Sequence, residues 1–310
     1  MDKALITMGM PAYNEDKYIA GAIEDLLAQT YKNFILIIYD DGSTDRTQQI
    51  CEGYAQRDER IVYVRNNKNM GSAFSFNYLL GRINTPYFML CSGHDKWHPS
   101  FVEKLLPAFK EEKVILSYPK AASIEVDGKI GKILGDSGCN TADIDKPIDR
   151  YLHILRFLKC SHLFYGIWLA EAIKNYKFDF KIYGIDSIML EESALNGKFK
   201  QCNEVLFWMR ANRNLETLNE TIKRQLYMGF KKKQNIFLAV VSYVLQGIKV
   251  PINKRYSLGL ITKLWLIINV IYYKFFDWYV FYYIKVAIKK IIGQNNYVKL
   301  KQIIKNERAF

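Results

Sequence analysis

The first hundred residues alternate between short apolar runs and amphipathic stretches, and this alternation restricts the fold more than any other feature. The strand-length apolar runs are residues 4–10, 34–39, 61–64 and 87–91, and the stretches with helical spacing are residues 17–29, 45–56 and 72–82. Strands joined by helices in this order are parallel with right-handed crossovers, which predicts an α/β fold. In such a sheet, ligands bind beyond the carboxyl ends of the strands. The sequence therefore selects three loops as the candidate site: Pro11–Asp16, Asp40–Asp45 and Ser92–Trp97.

The pattern after residue 100 is looser. The segments with strand or helix character are a strand at residues 114–118, a hairpin of residues 123–126 and 129–134 around Asp127-Gly128, and helices at residues 148–158 and 186–196. Gly197 provides a stop for the last helix. These elements predict a second half of the same fold.

Five short motifs follow or precede these elements in a fixed order. They are Pro11-Ala12-Tyr13-Asn14-Glu15, Gln29-Thr30-Tyr31, Asp40-Asp41-Gly42-Ser43, Asn69-Met70-Gly71 and Asp95-Lys96-Trp97-His98-Pro99. A single Asp-Gly-Ser-Thr-Asp segment is explained equally well as an Asx-turn followed by a helix cap. As a set, the motifs resemble the family 2 glycosyltransferases, inverting enzymes of the GT-A fold. The resemblance is dense over residues 4–100 and sparser over residues 160–215.

The resemblance implies a nucleotide site on the first loops. The residues that match its nucleotide-binding positions are Pro11, Ala12, Tyr13, Glu15, Asp41, Asn69, Gly71 and Arg210. Tyr13 offers a stacking face, and a carboxylate at Asp41 would accept a hydrogen bond from a ring N–H of uracil or thymine. Arg210 would bind the diphosphate through its bidentate fork. A half-buried aromatic at a strand end is the structural alternative for Tyr13.

The resemblance also implies a divalent cation, Mn²⁺ or Mg²⁺. Asp95 takes the last acidic position of the family's metal motif, and His94 could add an imidazole, which suits Mn²⁺ better than Mg²⁺. Ser92 and Asn212 stand where the family commonly has an acid and a histidine. These departures weaken the expected metal shell.

The catalytic base and the acceptor side are expected in the second half. Asp186 matches the family's base, which deprotonates the acceptor hydroxyl; a helix cap is the alternative role for the same residue. Glu191 and Glu192 on the next turn are expected to be solvated. Trp97, Tyr165 and Trp168 are expected on the acceptor side, although a packed aromatic core explains Tyr165 and Trp168 equally well.

Charge divides the chain unequally. Of the net charge of +13, residues 231–310 carry fifteen Lys and Arg against two acids, whereas residues 1–230 carry 29 bases and 29 acids. We expect a catalytic domain at residues 1–215, with a nucleotide-binding half at 1–95 and an acceptor-binding half at 96–215, and a helical region at 216–310. Basic residues interleaved with Trp, Tyr and Leu are typical of helices lying on an anionic membrane surface. A helical pair packed on the catalytic domain is the alternative, and nucleic acid is not expected as a partner.

The remaining composition indicates where such a chain works. Its five scattered cysteines include no Cys-x-x-Cys pair, which indicates reduced thiols. The short apolar run before Pro11 does not have the form of a signal peptide. We therefore expect a cytoplasmic protein, peripheral at the inner face of the cell membrane.

Together these features predict an inverting, hexosyltransferase-type enzyme. It would transfer a sugar from a nucleotide-sugar, a UDP-sugar, to a hydroxyl of a lipid-linked or surface polysaccharide or oligosaccharide. The alternative that the sequence leaves open is a catalytically silent sugar-nucleotide-binding module tethered to membrane. A dehydrogenase is disfavoured because the chain has no Gly-x-Gly-x-x-Gly motif.

Overall fold

The computed structural model of the chain describes residues 5–125, 128–134, 138–158, 161–178, 185–210, 236–253 and 258–274. It divides into two compact units, Met1–Gln234 and Asn235–Phe310. The boundary expected at residue 215 lies outside the described residues.

Nine described strands of the first unit form one sheet. In chain order they are β1 (Ile6–Ala12), β2 (Phe34–Asp40), β3 (Ile61–Arg65), β4 (Tyr87–Leu90), β5 (Lys96–Trp97), β6 (Val114–Ile124), β7 (Ile130–Leu134), β8 (Ile167–Leu169) and β9 (Lys198–Met209). The order across the sheet is β3-β2-β1-β4-β8-β6-β9-β5, with β7 paired to β6. β1 to β4 are mutually parallel, as the sequence predicts. β8 is antiparallel to both its neighbours, so the second half of the sheet is mixed.

Helices cover both faces of this sheet. The α-helices of the first unit are α1 (Ile19–Leu27), α2 (Thr47–Ala55), α3 (Ser72–Leu80), α4 (Phe101–Leu105), α5 (Pro147–Phe157), α6 (Ala170–Ile173) and α7 (Ile185–Asn196). Short 3₁₀ helices span Leu106–Lys110 and Ser161–Tyr165. Each predicted helix is present, with ends that differ by a few residues.

The apolar runs are continuous because β1 and β2 are buried on both faces. Met8 and Met10 of β1 pack with α1 and α4 in one core, whereas Ile37 and Tyr39 of β2 pack with α3 in the other. Gly9 lies between them on β1, and a Cβ there would come within 2.9 Å of the Phe88 ring. Burial on both faces is typical of parallel strands.

Two strands differ from what the sequence predicts. β6 runs unbroken from Val114 to Ile124, although Pro119 lies within it. Proline removes a backbone donor and usually ends a strand. Here the β6–β9 register shifts on either side of Lys120, so a local irregularity accommodates the proline. The sequence also predicts no strand over Lys198–Met209, where β9 forms.

The described part of the second unit contains two helices, α8 (Ile236–Ile252) and α9 (Leu260–Ile271). Val270 and Lys274 come close to Gly247 of α8, where an added Cβ would lie within 3 Å of both side chains. The glycine therefore lets the two helices approach closely. Within the described residues, no helix has both the length and the apolar character needed to cross a bilayer.

Candidate active site

The loops after β1 and β2 are joined by hydrogen bonds. The Asn14 side-chain oxygen accepts the Thr44 N–H at 2.8 Å, and the Asn14 N–H donates to Ser43 Oγ at 3.0 Å. The Glu15 N–H donates to Thr47 Oγ1 at 2.8 Å. Asn14 has φ +55°, a left-handed conformation that asparagine adopts more readily than most residues. These hydrogen bonds hold in place the loop that contains the half-buried Tyr13, together with Pro11 and Ala12 at the end of β1.

The first aspartate of the Asp40-Asp41 pair has a structural role. Its carboxylate accepts hydrogen bonds from the Ser43 N–H at 2.8 Å and from the Tyr63 hydroxyl at 2.7 Å, and Arg65 lies 3.6 Å away. Burial, with this hydrogen bond to Asp40, raises the pKa of the Tyr63 hydroxyl, so Tyr63 remains a donor at any physiological pH. Asp40 therefore fixes the turn that presents Asp41.

Asp41 holds the loop that precedes α3. Its two carboxylate oxygens accept the Met70 N–H at 3.0 Å and the Gly71 N–H at 2.7 Å, and Asn66 Nδ2 lies 3.3 Å from one of them. The Asp41 side chain is fully buried. A nucleotide base would reach this carboxylate only after the loop had moved, so base recognition by Asp41 stays a prediction. Asn69, expected in the same subsite, accepts the Gly71 N–H at 2.9 Å.

The loop after β4 meets the end of β9 at Asp95. Asp95 Oδ1 accepts the Arg210 backbone N–H at 2.7 Å, and Oδ2 accepts the Ser92 hydroxyl at 2.6 Å. His94 Nδ1 lies 3.1 Å from Glu15 Oε1, and its Nε2 lies 3.9 Å from Asp95 Oδ1. Residues from the loops after β1, β4 and β9 are therefore in direct contact, as their predicted roles require.

The Arg210 side chain is anchored at two further points. Its Nε donates to the His94 carbonyl at 3.1 Å, and its guanidinium carbon lies 4.5 Å from the centre of the Tyr18 ring. Neither Nη atom donates to a residue that the structure describes. The outer edge of the guanidinium thus presents donors in a fixed orientation beside Asp95, an arrangement that suits a diphosphate.

The donor set around Asp95 fits a divalent cation in part. The described residues contain no group of three or more His, Cys, Asp or Glu side chains arranged to hold a metal. Asp95 already accepts two hydrogen bonds, but each carboxylate oxygen has a second lone pair. Asp95 and His94 are therefore the described residues that would supply ligands to such a cation.

Asp186 lies in the first turn of α7 and is half-exposed. The hydroxyl of its neighbour Ser187 lies 3.4 Å from the hydroxyl of Ser161, which begins the 3₁₀ helix that contains Tyr165. The preceding Tyr183-Gly184 lies outside the described residues. Glu191, one turn further on, is buried, so the expectation that it is solvated was wrong. The reason is that α7 packs against α5 and the core and is buried on nearly all sides, with every residue from 188 to 195 buried except the half-buried Glu192.

Two of the three aromatic residues expected on the acceptor side are core residues. Trp97 and Trp168 are each only 1% exposed. Trp168 donates its indole N–H to the Phe164 carbonyl at 3.0 Å, and Trp97 packs on Phe207. As placed, neither ring can stack on a sugar, which corrects the expectation in favour of the packed-core alternative. Tyr165 is half-buried against Phe207 and keeps its candidate role.

Two residues important to the site had no clear signal in the sequence. Tyr18 falls on the helical stretch after the first loop, and its contact with Arg210 spans 192 positions of the chain. Asn14 lies within a matched motif, but its role as a bridge between loops depends on a positive φ. Pairwise contacts over such distances along the chain become visible only in three dimensions.

The order of the strands and the position of these loops at their carboxyl ends are those of the GT-A fold. A family model described as "Glycosyl transferase family 2" matches residues 7–161, which is half of the chain. The chain therefore belongs to this family.

Relatives and solved structures agree with this assignment. The putative teichuronic acid biosynthesis glycosyltransferase TuaG of Bacillus subtilis is 29% identical over 151 residues, 49% of this chain. The chain spans 53% of TuaG, about half the length of that relative. TarS 1–349 of S. aureus in complex with UDP-GlcNAc superposes with a TM-score of 0.62 and 14% identity, over 86% of this chain and 72% of that one.

A more distant neighbour is the mannosyltransferase PcManGT of Pyrobaculum calidifontis, solved with GDP-Man and Mn²⁺. It superposes with a TM-score of 0.50 and 11% identity, over 99% of this chain and 81% of that one. At these identities the two structures show the fold alone, and they confirm the predicted GT-A architecture.

Proposed function

We propose that the protein transfers a sugar, with inversion, from a UDP-sugar to a hydroxyl group of a lipid-linked or surface polysaccharide. One observation carries the proposal: the loops after β1 and β4 and the end of β9 meet at Asp95. There the His94–Glu15 contact of 3.1 Å and the Asp95–Arg210 hydrogen bond of 2.7 Å gather groups suited to a nucleotide diphosphate.

Inverting transfer is a direct displacement at the anomeric carbon. Asp186 takes the proton of the acceptor hydroxyl as its oxygen forms the new bond to that carbon, and the bond to the diphosphate oxygen breaks on the opposite side. The rigid sheet holds the loops in the orientation that an in-line displacement needs.

The departing diphosphate gains one negative charge as its bond to the anomeric carbon breaks, and Arg210 is placed to bind it. Its Nε is fixed by the His94 carbonyl, so the guanidinium does not have to be ordered when the donor arrives. Asp95 and His94 are the residues that would hold a divalent cation, whose contribution when bound is to neutralise the diphosphate. Mn²⁺ accepts the imidazole more readily than Mg²⁺ does.

The choice of a UDP-sugar as donor is supported by a solved neighbour. TarS was solved with UDP-GlcNAc, and a half-buried tyrosine at position 13 can stack on any base. The acceptor class is supported by the name of TuaG and by the positive charge of residues 231–310, which suits the anionic inner face of a membrane.

The alternative, a silent module that binds a sugar nucleotide without turnover, has one observation in its favour. The described residues contain no cluster of three or more His, Cys, Asp or Glu side chains that could hold a metal ion. Turnover by the wild-type protein with any nucleotide sugar excludes this alternative.

Donor binding can be tested by thermal shift against UDP-, GDP-, ADP- and dTDP-sugars, each with and without Mn²⁺. We expect UDP-sugars to raise the unfolding temperature most, and Mn²⁺ to increase that shift in the wild type but not in Asp95→Asn. Arg210→Lys should lose most of the shift because a lysine cannot reproduce the fork. Arg46→Ala, which removes an arginine with a 75% exposed side chain, is the matched control. An equal shift with Arg210→Lys, or a preference for another nucleotide, contradicts the proposal.

A further inference from the structure

Helix α9 leaves a broad apolar face exposed. Its members, which we call the α9 outer face, are Leu260, Ile261, Leu264, Trp265, Ile268 and Tyr272. Their spacing of one, three and four residues places them on one side of a helix. Ile261 is 85% exposed and Leu260 is 73% exposed. On the opposite side Leu266 and Val270 are fully buried.

This arrangement is the reverse of an ordinary surface helix, which presents polar residues to water. Lys263 is the single charged residue between positions 260 and 273, and it is half-buried. Scattered exposed apolar residues are normal on proteins, but a contiguous set marks an interaction site. The outer face therefore needs an occupant.

The charge of the surrounding sequence identifies that occupant. Residues 231–310 carry fifteen bases and two acids, so the segment repels other positive surfaces and attracts anionic ones. A symmetric dimer would place two identical basic segments against each other. The chain's own residues 275–310 are also basic overall. An anionic lipid surface offers both the opposite charge and an apolar layer.

We propose that the α9 outer face inserts into the headgroup region of an anionic bilayer, with α9 lying parallel to the membrane plane. The twelve residues of α9 extend about 18 Å, short of the roughly 30 Å needed to cross a bilayer. Trp265 and Tyr272 are residue types that favour the membrane interface. Binding to lipid requires no turnover. The inference therefore rests on the proposed function only where it connects the membrane with a lipid-linked acceptor.

Vesicle flotation of the full-length protein tests this surface. We expect the wild type to float with vesicles of equal parts phosphatidylcholine and phosphatidylglycerol, and to float poorly with phosphatidylcholine alone. The double variant Ile261→Glu, Ile268→Glu should bind the anionic vesicles at least about tenfold more weakly, since each substitution removes an apolar side chain and adds a repelled charge. The matched control is Ile130→Glu, Ile133→Glu, which changes two exposed isoleucines of β7; this variant should float like the wild type.

Trp265 provides a local probe of insertion. Anionic vesicles should shift the tryptophan emission of the wild type to shorter wavelength, and the shift should be largely lost in Trp265→Phe, which still floats. A protein that has merely unfolded would not show this pattern. Donor binding by thermal shift, measured on the same double variant, should match the wild type, so that a failure of lipid binding is distinguished from a failure of the proposed function.

Two results overturn the inference. One is equal flotation of the wild type and the α9 double variant, which would place lipid binding elsewhere on the chain or exclude it. The other is a wild-type dimer by light scattering that the double variant converts to a monomer without any loss of flotation. The outer face would then be a contact between copies.

Discussion

At the residue scale, three buried aspartates have different structural roles. Asp40 braces a turn, Asp41 holds the Met70-Gly71 amides, and Asp95 anchors the Arg210 backbone. The motifs predicted which loops these residues occupy. They could not predict which oxygen each amide contacts, because that depends on loop geometry set by residues far away in the chain. The two tryptophans show the same limit, since burial depends on partners such as Phe207 that lie in another strand.

Tyr18 should act as a positioning residue for Arg210. The ring lies 4.5 Å from the guanidinium carbon, and such a contact stabilises by about 1 kcal/mol at a partly exposed site. We expect Tyr18→Leu to raise the KM for the donor about fivefold with little change in kcat. Tyr18→Phe keeps the ring and should restore the wild-type KM. If both variants behave alike, the ring does not position Arg210.

At the element scale, the sheet was predictable to the extent that its strands are buried on both faces. The first four strands and the helices between them follow from apolar runs and their spacing. β9 was not predicted because its first seven residues, among them Lys198, Lys200 and Gln201, look like a loop. Pairing with β6 on one side makes that polar stretch a strand. Strand propensity is set by such context more than by residue type.

The turn after β2 offers a matched pair of glycines. Gly42 has φ +74°, and a Cβ there would lie 2.8 Å from the Lys68 carbonyl carbon. Gly128 has φ +84° in the β6–β7 hairpin, with nothing within 4 Å of an added Cβ. Gly128→Ala should therefore cost only the strain of the backbone conformation, about 1 kcal/mol. Gly42→Ala should lower the free energy of unfolding by at least about 1 kcal/mol more, because backbone must also move.

Urea denaturation of the two glycine variants, followed by the same probe, measures this difference. Donor affinity should fall with Gly42→Ala alone, since the Asn66–Gly71 loop packs on that turn. Equal destabilisation by the two substitutions would mean that the turn and the loop are not tightly packed.

At the scale of the whole molecule, the excess positive charge and the candidate active site lie in different parts of the chain. The first 230 residues are neutral overall and contain the candidate active site, whereas the last 80 carry the whole excess charge. This division was visible in the sequence. The exposed face of α9 was not, because apolar residues at helical spacing are also the pattern of a helix that buries them.

The reactivity of the buried thiols of Cys51 and Cys91 can be used to follow global unfolding. Burial raises the pKa of Cys51 to about 12 and that of Cys91 well above its usual range. A raised pKa keeps the thiolate scarce below that value, so raising the pH from 7 to about 9 should leave both side chains unreactive while the protein is folded. Alkylation mapped by mass spectrometry should modify the half-buried Cys202 before Cys51 and Cys91, which should react only in denaturant. Early modification of Cys91 would contradict the buried sheet described above.

The central claim is that Asp186 is the base of an inverting glycosyl transfer. The most direct test compares turnover of the wild type and Asp186→Asn with the UDP-sugar selected by thermal shift, together with an acceptor glycan. The control is Glu192→Gln on the same helix. We predict that Asp186→Asn loses about a thousandfold in kcat, within the range of a general base, while its donor affinity and the activity of Glu192→Gln stay near wild type. Turnover by Asp186→Asn close to that of the wild type would contradict the account.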